Sequence, residues 1–569
     1  MRELHRVSQF QRLWHASQGE TQRLSVAMLA QRCFCSERHA RTLLKKWQQA
    51  GWIRWESQPG RGKQGELQFL ITPEALRQQL LNRQLLAGEP VQMLQTLDLP
   101  PERLLQLLQP LMGGHWQDRT PVLRIPYYRT LAFPAPLQPL GRAEQHLARQ
   151  IFSGLTRVEN NRVSGDLAHH WQHDSSGLNW SFWLRPQLSW HNGDPMYAAQ
   201  LAAVLQQIIR SASGRVLLAS VAQIDAPHPL TLRIRLHQPD YWLPQRLAHQ
   251  FCLLPHPDSP QTGSGPWQLI QFTPTLLRLE SYARWHLQRA LIQRIEYWIT
   301  PTLFMPEQGN SCRHPVQIAI GNADELQQLR PVDRSISRGF CYLATRPSLR
   351  FSAAQARTLI ALIQRSDVIR QLPLAEGLIT PSQWLLPGWP VPQTGTEPVA
   401  LPARLTLHYH LPVELHVMAE ALVRLLASHG CELTCVFHEV KSWNSEQDLT
   451  AADIVMGDRL IGDAPQFTLL NWLEQDRLWQ PLRDSFRQSL QQIACEPDDG
   501  VRSSAVQQLF HTLMSEGYLL PLFNYRYQVL APPGVEGVHL TALGWFDFTR
   551  AWIPPPVPCP VQSAPDAVP

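Results

Sequence analysis

The segment Glu37–Gln49 constrains the fold of this chain more than any other part of its sequence. Its apolar residues recur at the spacing i, i+3, i+4 and i+7, which an α-helix places on one face: Ala40, Leu43, Leu44 and Trp47. Ser36 is suited to cap the start of this helix, and Gly51 to stop it. Ser25 is in turn a suitable N-cap for a short apolar helix that ends near Cys33. Two helices joined by so tight a connection indicate a helix-turn-helix.

A preceding helix and a β-hairpin complete a winged helix-turn-helix over residues 1–71. The preceding helix carries an apolar stripe at i, i+3 and i+7, formed by Val7, Phe10 and Trp14. The runs Trp52–Glu56 and Leu67–Ile71 read as strands, and the Gly-rich stretch 59–65 forms the turn between them. The sequence therefore predicts three helices followed by a hairpin with a basic tip.

The charge of the chain is concentrated in this N-terminal block. Residues 1–85 hold 14 Lys and Arg against 6 Asp and Glu, a net charge of +8, although the whole chain carries only +5. The remainder, with 37 basic and 40 acidic residues, has a net charge of −3. The N-terminal block, called the head below, is basic, and the rest of the chain is nearly neutral. This distribution predicts a polyanionic partner for the head alone.

The polar face of the Glu37–Gln49 helix carries groups that can read a DNA duplex. Arginine and lysine bond to guanine edges in the major groove, and contacts come mainly from the start of the recognition helix. We predict DNA contacts from this face and from the hairpin tip, by Arg38, His39, Arg41, Thr42, Lys45, Arg61 and Lys63. The alternative is a solvated basic face on a structural helix. A phosphate-binding P-loop at Gly60–Lys63 is disfavoured, because Gln64 stands where that motif needs Ser or Thr.

Beyond the head, the sequence predicts a helical connector, a large α/β body and a tail. The connector spans residues 72–115, the body 116–552 and a disordered, Pro-rich tail 553–569. In the body, strand-like and helical runs alternate, which is typical of an α/β fold. The strand-like runs are Val122–Tyr128, Leu230–Leu236 and Leu405–Tyr409, and the helical runs are Gln200–Ile209, Ala354–Arg365, Glu414–Ser428 and Arg502–Met514.

Composition favours a cytoplasmic protein without a cofactor. The N-terminus lacks the apolar core of a secretory signal, and no stretch approaches the ~18 apolar residues of a membrane helix. Nine scattered Cys are an odd number, which argues against a disulfide framework. We expect no metal site either, although His169 and His173 would share a face if they lay on a helix. No GxSxG, HExxH or SxxK constellation indicates a catalytic residue, so we do not expect an enzyme.

Both halves of the chain resemble known modules. In the head, the run 35–44, Gly51-Trp52 and Gly60–Lys63 closely resemble SgrR-type regulators of enteric bacteria. In the body, several segments resemble family 5 bacterial solute-binding proteins: 150–157, 166–171, 183–186, 190–195, 263–267 and 521–522. SgrR-type proteins join these two modules in this order. The resemblance is nearer to the less characterised paralogue of that family than to its sugar-phosphate stress regulator.

The resemblance implies a two-lobed, periplasmic-binding-protein-like body (type II) that closes over a solute, joined to a DNA-reading head. Segments 457–459 and 462–465 resemble the family segment that holds a ligand-facing aspartate. Aromatic faces beside Arg and Asp suit a small polar or phosphorylated solute. The candidate ligand residues are Tyr127, Tyr128, Arg129, Trp190, His191, Asp458, Arg459 and Asp463. The alternative is that Tyr127 and Trp190 pack in the core and that Asp458 and Arg459 form a surface ion pair.

The hypothesis that follows is a transcription regulator that binds double-stranded DNA and senses a small cytoplasmic metabolite, with a sugar phosphate as the candidate. Two alternatives come from other classes. One is a transport-type, oligopeptide-like solute-binding protein with an appended DNA-binding head, and the other is an enzyme built on the solute-binding fold. A periplasmic location would favour the first alternative, and turnover of a bound ligand the second.

Overall fold

The computed structural model divides into two compact units, Met1–Leu107 and Leu108–Pro569. The described residues are 2–56, 64–76, 79, 108–138, 140–159, 161–301, 331–333, 339–374, 379–395, 399–410, 413–438, 449, 451–525, 529–531, 533–539, 541 and 545–556. Among the helices they form, none is long and apolar enough to cross a membrane.

The first unit contains the predicted three helices and hairpin. Its elements are α1 (Arg2–Ala16), β1 (Gln22–Leu24), α2 (Val26–Arg32), α3 (Glu37–Gln49), β2 (Ile53–Glu56) and β3 (Gly65–Phe69). The strands form an antiparallel sheet in the order β1-β3-β2. The Ser25 hydroxyl accepts from the Met28 amide at 3.2 Å and the Ser36 hydroxyl from the His39 amide at 3.3 Å, so both predicted N-caps are confirmed.

An aromatic cluster holds the first unit together. The ring of Phe10 packs edge-on against Trp47 at 5.8 Å and against Trp52 at 5.5 Å. Trp14 packs against Phe69 at 4.8 Å. Sequence analysis missed β1, because a three-residue strand has no periodicity of its own. It also placed the second strand of the hairpin, β3, two residues too late in the sequence. The predicted hairpin tip at residues 57–63 lies outside the described residues.

The second unit begins with a five-stranded sheet in the order β12-β13-β14-β5-β4. These strands are β4 (Gly113–Gln117), β5 (Thr120–Tyr127), β12 (Trp267–Phe272), β13 (Leu276–Ser281) and β14 (Arg294–Ile299), with α4 (Arg142–Ile151) packed alongside. β5 and β14 run parallel. Because β4 pairs with β5, this sheet includes residues that the sequence placed in the connector. Ile553, placed by sequence in the disordered tail, is 5% exposed and packs in the core of this sheet.

A four-stranded antiparallel sheet follows in the order β10-β11-β9-β8. Its elements, with the small hairpin and helices around them, are β6 (Thr156–Glu159), β7 (Arg162–Gly165), β8 (Ala168–His173), β9 (Asn179–Leu184), α5 (Ala198–Arg210), α6 (Ala212–Leu217), β10 (Val221–His228), β11 (Thr231–Leu236) and α7 (Leu243–Leu247). His169 and His173 lie on the strand β8, so the helical placement that a metal site would need is wrong.

A six-stranded sheet forms the remainder of the second unit, in the order β17-β23-β16-β22-β20-β21. Its strands are β16 (Gly339–Thr345), β17 (Ile379–Pro381), β20 (Arg404–His410), β21 (Glu432–His438), β22 (Ile454–Leu460) and β23 (Leu519–Tyr525). Two separate pairs of strands accompany the sheet: β15 (Pro331–Asp333) with β24 (Val529–Leu530), and β18 (Trp384–Leu386) with β19 (Trp389–Pro390). The helices are α8 (Ala353–Arg365), α9 (Val413–Ala427), α10 (Pro465–Gln475), α11 (Gln480–Cys495) and α12 (Asp499–Ser515).

The six-stranded sheet is covered on both faces. Leu359 of α8 and Met418 of α9 share one core with Leu407 of β20. Leu470 of α10 and Phe510 of α12 belong to the other core, which also contains residues of the four-stranded sheet. The predicted strands and helices of the body are confirmed with ends that differ by at most three residues, because these runs are bounded by clear breaks in apolar periodicity.

Candidate functional site

Helix α3 presents a continuous polar face. Its buried residues, Ala40, Leu43, Leu44 and Trp47, fix the rotation of the helix in the first unit. The predicted DNA-contacting residues of this helix are therefore all exposed: Arg38, His39, Arg41, Thr42 and Lys45. Ser36 caps the helix at its N-terminal end, so the first two turns keep a fixed geometry.

Most side chains on this face are not engaged by the protein. Those of Arg38, His39 and Lys45 make no hydrogen bond or ion pair within the described part of the chain. Arg41 pairs with Glu37 one turn earlier at 3.2 Å, and the Thr42 hydroxyl donates to the Arg38 carbonyl at 3.1 Å. An exposed i,i+4 pair of this kind is weak and readily exchanged. Arg61 and Lys63 lie outside the described residues and stay predictions.

In the second unit, three of the predicted ligand residues are buried. Tyr127 is 2% exposed and packs edge-on against Tyr297 at 6.2 Å. Trp190 is fully buried beside His256. His191 donates from Nε2 to the Gly265 carbonyl at 3.0 Å, and burial lowers its pKa to about 4. Tyr127 and Trp190 thus occupy core positions, as the alternative interpretation proposed.

Arg129, another predicted ligand residue, has an internal partner. Its Nη1 and Nη2 donate to the two carboxylate oxygens of Glu144 at 2.6 Å and 3.0 Å. This bidentate geometry satisfies the guanidinium with the carboxylate of α4. Tyr128 beside it is half-buried against Tyr127, with ring centroids 4.9 Å apart.

Asp458 is paired across the second unit. Its carboxylate, 3% exposed, accepts a hydrogen bond from Arg142 of α4. The pair joins the region of the five-stranded sheet to β22 of the six-stranded sheet. The alternative of a surface ion pair between Asp458 and Arg459 is therefore wrong, because Arg142 takes that place 316 residues away in sequence.

Arg459 has no carboxylate partner at hydrogen-bond distance among the described residues. Its guanidinium lies over the ring of Trp472 at 5.5 Å, and its Nε is buried without a hydrogen bond. Burial is the main cause that lowers its pKa, although the charges of Asp476 and Asp458 oppose this shift. The half-buried Asp463 follows three residues after β22.

Sequence analysis did not single out two residues of the second unit, His249 and Arg149, whose pKa values are lowered mainly by burial. His249 caps a 3-10 turn, Gln250–Cys252, by accepting the Phe251 amide at Nδ1 over 3.3 Å, which leaves the proton on Nε2. Burial, and then the charges of Arg149, Arg459 and Arg246, lower the pKa of His249 to about 3. Arg149 immediately precedes the segment 150–157, which resembles the solute-binding family, but its position in the sequence gave no sign of a function.

Comparison with known proteins agrees with this two-part organisation. Residues 5–119 match the family described as sugar transport-related sRNA regulator, N-terminal. Residues 162–303 match the middle region of bacterial extracellular solute-binding proteins, family 5. The chain is 50% identical to the protein YbaE of Escherichia coli (strain K12), over 98% of this chain and 100% of that protein. It is 30% identical to the HTH-type transcriptional regulator SgrR of Salmonella choleraesuis (strain SC-B67), over 97% of this chain and 99% of the regulator.

Solved structures share the fold of the second unit. NikA from Brucella suis, in complex with Fe(III)-EDTA, aligns with a TM-score of 0.61 at 16% identity, over 76% of this chain and 100% of its own. A dipeptide-binding protein from Pseudoalteromonas sp. SM9913, in complex with Met-Leu, aligns with a TM-score of 0.61 at 13% identity over the same shares. These likenesses show a two-lobed solute-binding fold. From the full-length match to SgrR and the two matched domains, the chain belongs to the family of SgrR-type regulators, with an N-terminal helix-turn-helix domain and a family 5 solute-binding domain.

Proposed function

We propose that this protein is a cytoplasmic, DNA-binding transcription regulator whose solute-binding body senses a small metabolite. The observation that carries this proposal is helix α3, which offers five exposed polar side chains at the end of a tight helix-turn-helix. Full-length relatives named as HTH-type transcriptional regulators support it. The alternative transport role is disfavoured, because a basic DNA-reading head would have no use in a transport protein.

In the proposed complex, α3 lies in the major groove with its N-terminal turns toward the base edges. Arg38 and Arg41 supply bidentate donors that suit guanine, and Thr42 can contact a thymine methyl. His39 and Lys45 complete this face, and Arg61 and Lys63 of the hairpin bind phosphate. The Arg41–Glu37 pair exchanges for a DNA contact at little cost, because both side chains are exposed.

The body supplies the signal in this proposal. A solute held between the lobes stabilises one arrangement over another, and this preference shifts the population of DNA-competent molecules. A sugar phosphate is the candidate ligand. No catalytic step is required, since regulation needs only a difference in ligand affinity between the two states.

A binding experiment on the full-length chain tests the DNA-reading part. Duplexes are selected from a random library, and their affinity is then measured by fluorescence anisotropy at several salt concentrations. Arg38→Ala and Arg41→Ala should each weaken the selected duplex by ~1–3 kcal/mol and relax sequence preference. Arg162→Ala, an exposed arginine of the body, is the matched control and should leave affinity unchanged. Affinity that does not depend on salt, or equal binding by all variants, would contradict the proposal.

A further inference from the structure

One aromatic residue of the head lies outside its apolar core. Phe34, in the turn between α2 and α3, is 82% exposed, more than any other described Phe, Tyr or Trp. The rings of Trp47, Trp52 and Phe69 pack around Phe10, whereas no aromatic ring among the described residues contacts Phe34. Water therefore reaches most of this ring in the free protein, and its burial contributes little to the stability of the head.

The backbone at Phe34 is also unusual for a bulky residue. Its φ is +51°, in the left-handed region that glycine adopts freely and that a residue with a Cβ atom disfavours. The turn holds this conformation, because the Phe34 amide donates to the Gln31 carbonyl at 3.1 Å and the Cys35 amide to the Ala30 carbonyl at 2.9 Å. A large apolar residue thus takes a strained position without a gain in packing, and such an outlier indicates a function for the side chain.

Arg12 of α1 supplies a positive charge beside this ring. Its guanidinium carbon lies 5.8 Å from the centroid of the Phe34 ring, which is the distance of a cation–π contact. Arg12 is exposed and forms no hydrogen bond or ion pair within the described part of the chain. We call the two side chains the Arg12–Phe34 pair. Because residues 1–85 carry a net charge of +8, a polyanion is the partner that this surface suits best.

The Arg12–Phe34 pair lies at the end of α3 that is expected to read the bases. Phe34 is two residues from Ser36, the N-cap of α3, so their Cα atoms are less than about 8 Å apart. The major groove of B-DNA is about 12 Å wide, and a sugar-phosphate backbone forms each of its edges. A side chain this close to the inserted end of the helix is therefore expected beside one of these backbones.

We propose that the Arg12–Phe34 pair contacts the DNA backbone beside α3, with the ring packed on a deoxyribose and the guanidinium bound to the adjacent phosphate. This inference rests on the proposed DNA-binding function and extends the interface beyond α3 and the hairpin. A DNA strand alternates apolar sugar faces with anionic phosphates, and the pair likewise places an apolar ring beside a cation. Arginine suits both neighbours, because its planar guanidinium stacks on an aromatic face and bonds to two phosphate oxygens. Such contacts fix the register of a protein on the duplex and carry no sequence information.

The test measures the DNA affinity of the full-length protein by fluorescence anisotropy, on the duplex selected from the random library and on a scrambled duplex. Phe34→Gly should weaken binding to both duplexes about fivefold to tenfold, the effect of partly burying one aromatic side chain. Arg12→Gln should also weaken both, and it should lower the slope of log affinity against log salt by about one, because one phosphate contact is lost. The ratio of the two affinities, which measures sequence preference, should stay the same in both variants.

The stability of the variants separates loss of a DNA contact from misfolding. Glycine fits the left-handed backbone at position 34, so Phe34→Gly should unfold at a urea concentration no lower than the parent, although it binds DNA more weakly. Trp384→Ala and Arg210→Gln change an exposed aromatic residue and an exposed arginine of the body. These matched controls should leave DNA affinity unchanged.

Two outcomes overturn the backbone contact: Phe34→Gly binds both duplexes as tightly as the parent, or Arg12→Gln keeps the salt slope of the parent. A loss confined to the selected duplex would also overturn it, because the pair would then read a base. If the parent shows salt-dependent DNA binding and the variants equal it, the contact alone is rejected. A parent chain that binds no duplex rejects the proposed function of the head, and the contact with it.

Discussion

The head and the body of this protein differ in how their surfaces are encoded. On α3, the apolar residues that turn one face inward leave Arg38, His39, Arg41, Thr42 and Lys45 outside, so one local pattern determines both faces. In the body, the partners of charged residues come from distant segments, as with Arg142 and Asp458. A helical surface can thus be read from a short window of sequence, whereas the lining of a cleft depends on the whole chain fold.

The largest effect on the free energy of unfolding is expected from the ion-pair network of Arg246, which links segments of the body that are distant in sequence. Arg246 is 4% exposed and serves Asp240 and Glu474 together. Arg246→Ala leaves two carboxylates without their cation in a buried place and should cost about 3–5 kcal/mol of unfolding free energy. Urea denaturation measures it. Arg404→Ala, which removes an exposed pair with Glu432, is the control and should cost less than about 1 kcal/mol.

Acid should destabilise the body through a buried histidine. His146, 1% exposed and stacked on Trp545 at 4.9 Å, has its pKa lowered from 6.5 to about 3 by burial and then by Arg149. The unfolded chain binds this proton near pH 6.5, and the folded chain does not. Stability is therefore complete above pH 6.5 and falls as the pH is lowered toward 3.

The size of this effect is ~2 kcal/mol between pH 6.5 and pH 5 from this one group. His146→Phe keeps an aromatic ring against Trp545 and should make this part of the pH profile less steep by the share of one proton, while His191 and His249, whose pKa values are also lowered, maintain the rest of the slope. Equal pH profiles for the variant and the parent would show that His146 is not the group responsible.

These two predictions rest on contacts that the sequence did not reveal. The fold was largely predictable: the N-caps Ser25 and Ser36 and the bounds of α3 agree with the structure, because each is a local property. The burial and pairing of the candidate ligand residues were not predictable: Tyr127 and Trp190 are buried, and Arg129 is bound by Glu144. Whether an arginine is paired depends on residues far along the chain, and periodicity carries no such information.

A smaller effect is expected at the hairpin of the head. Lys63 is predicted to contact phosphate rather than base edges, so Lys63→Ala should weaken all duplexes alike. The slope of log affinity against log salt should fall by about one, because one fewer counterion is released. Anisotropy titrations on selected and scrambled duplexes measure both quantities. A loss confined to the selected duplex would instead assign Lys63 to base recognition.

The smallest predicted effect concerns the Arg41–Glu37 pair. Glu37→Gln frees Arg41 and removes a negative charge from the DNA-facing side, so affinity for any duplex should rise slightly. The helix itself should lose only about 0.2–0.5 kcal/mol, the usual value of an exposed i,i+4 pair. Glu516→Gln, which breaks the pair with Arg357 in the body, is the control and should not change DNA affinity. Weaker binding after Glu37→Gln would indicate that Glu37 itself contacts a base.

The central claim is that a ligand in the body controls DNA reading by the head. The direct measurement is the affinity of the full-length chain for its selected duplex with and without glucose 6-phosphate. We expect the sugar phosphate to change the affinity of the parent by about 5–150-fold, the usual range of coupling between two sites. Identical DNA affinity of the parent with and without the sugar phosphate would contradict the claim.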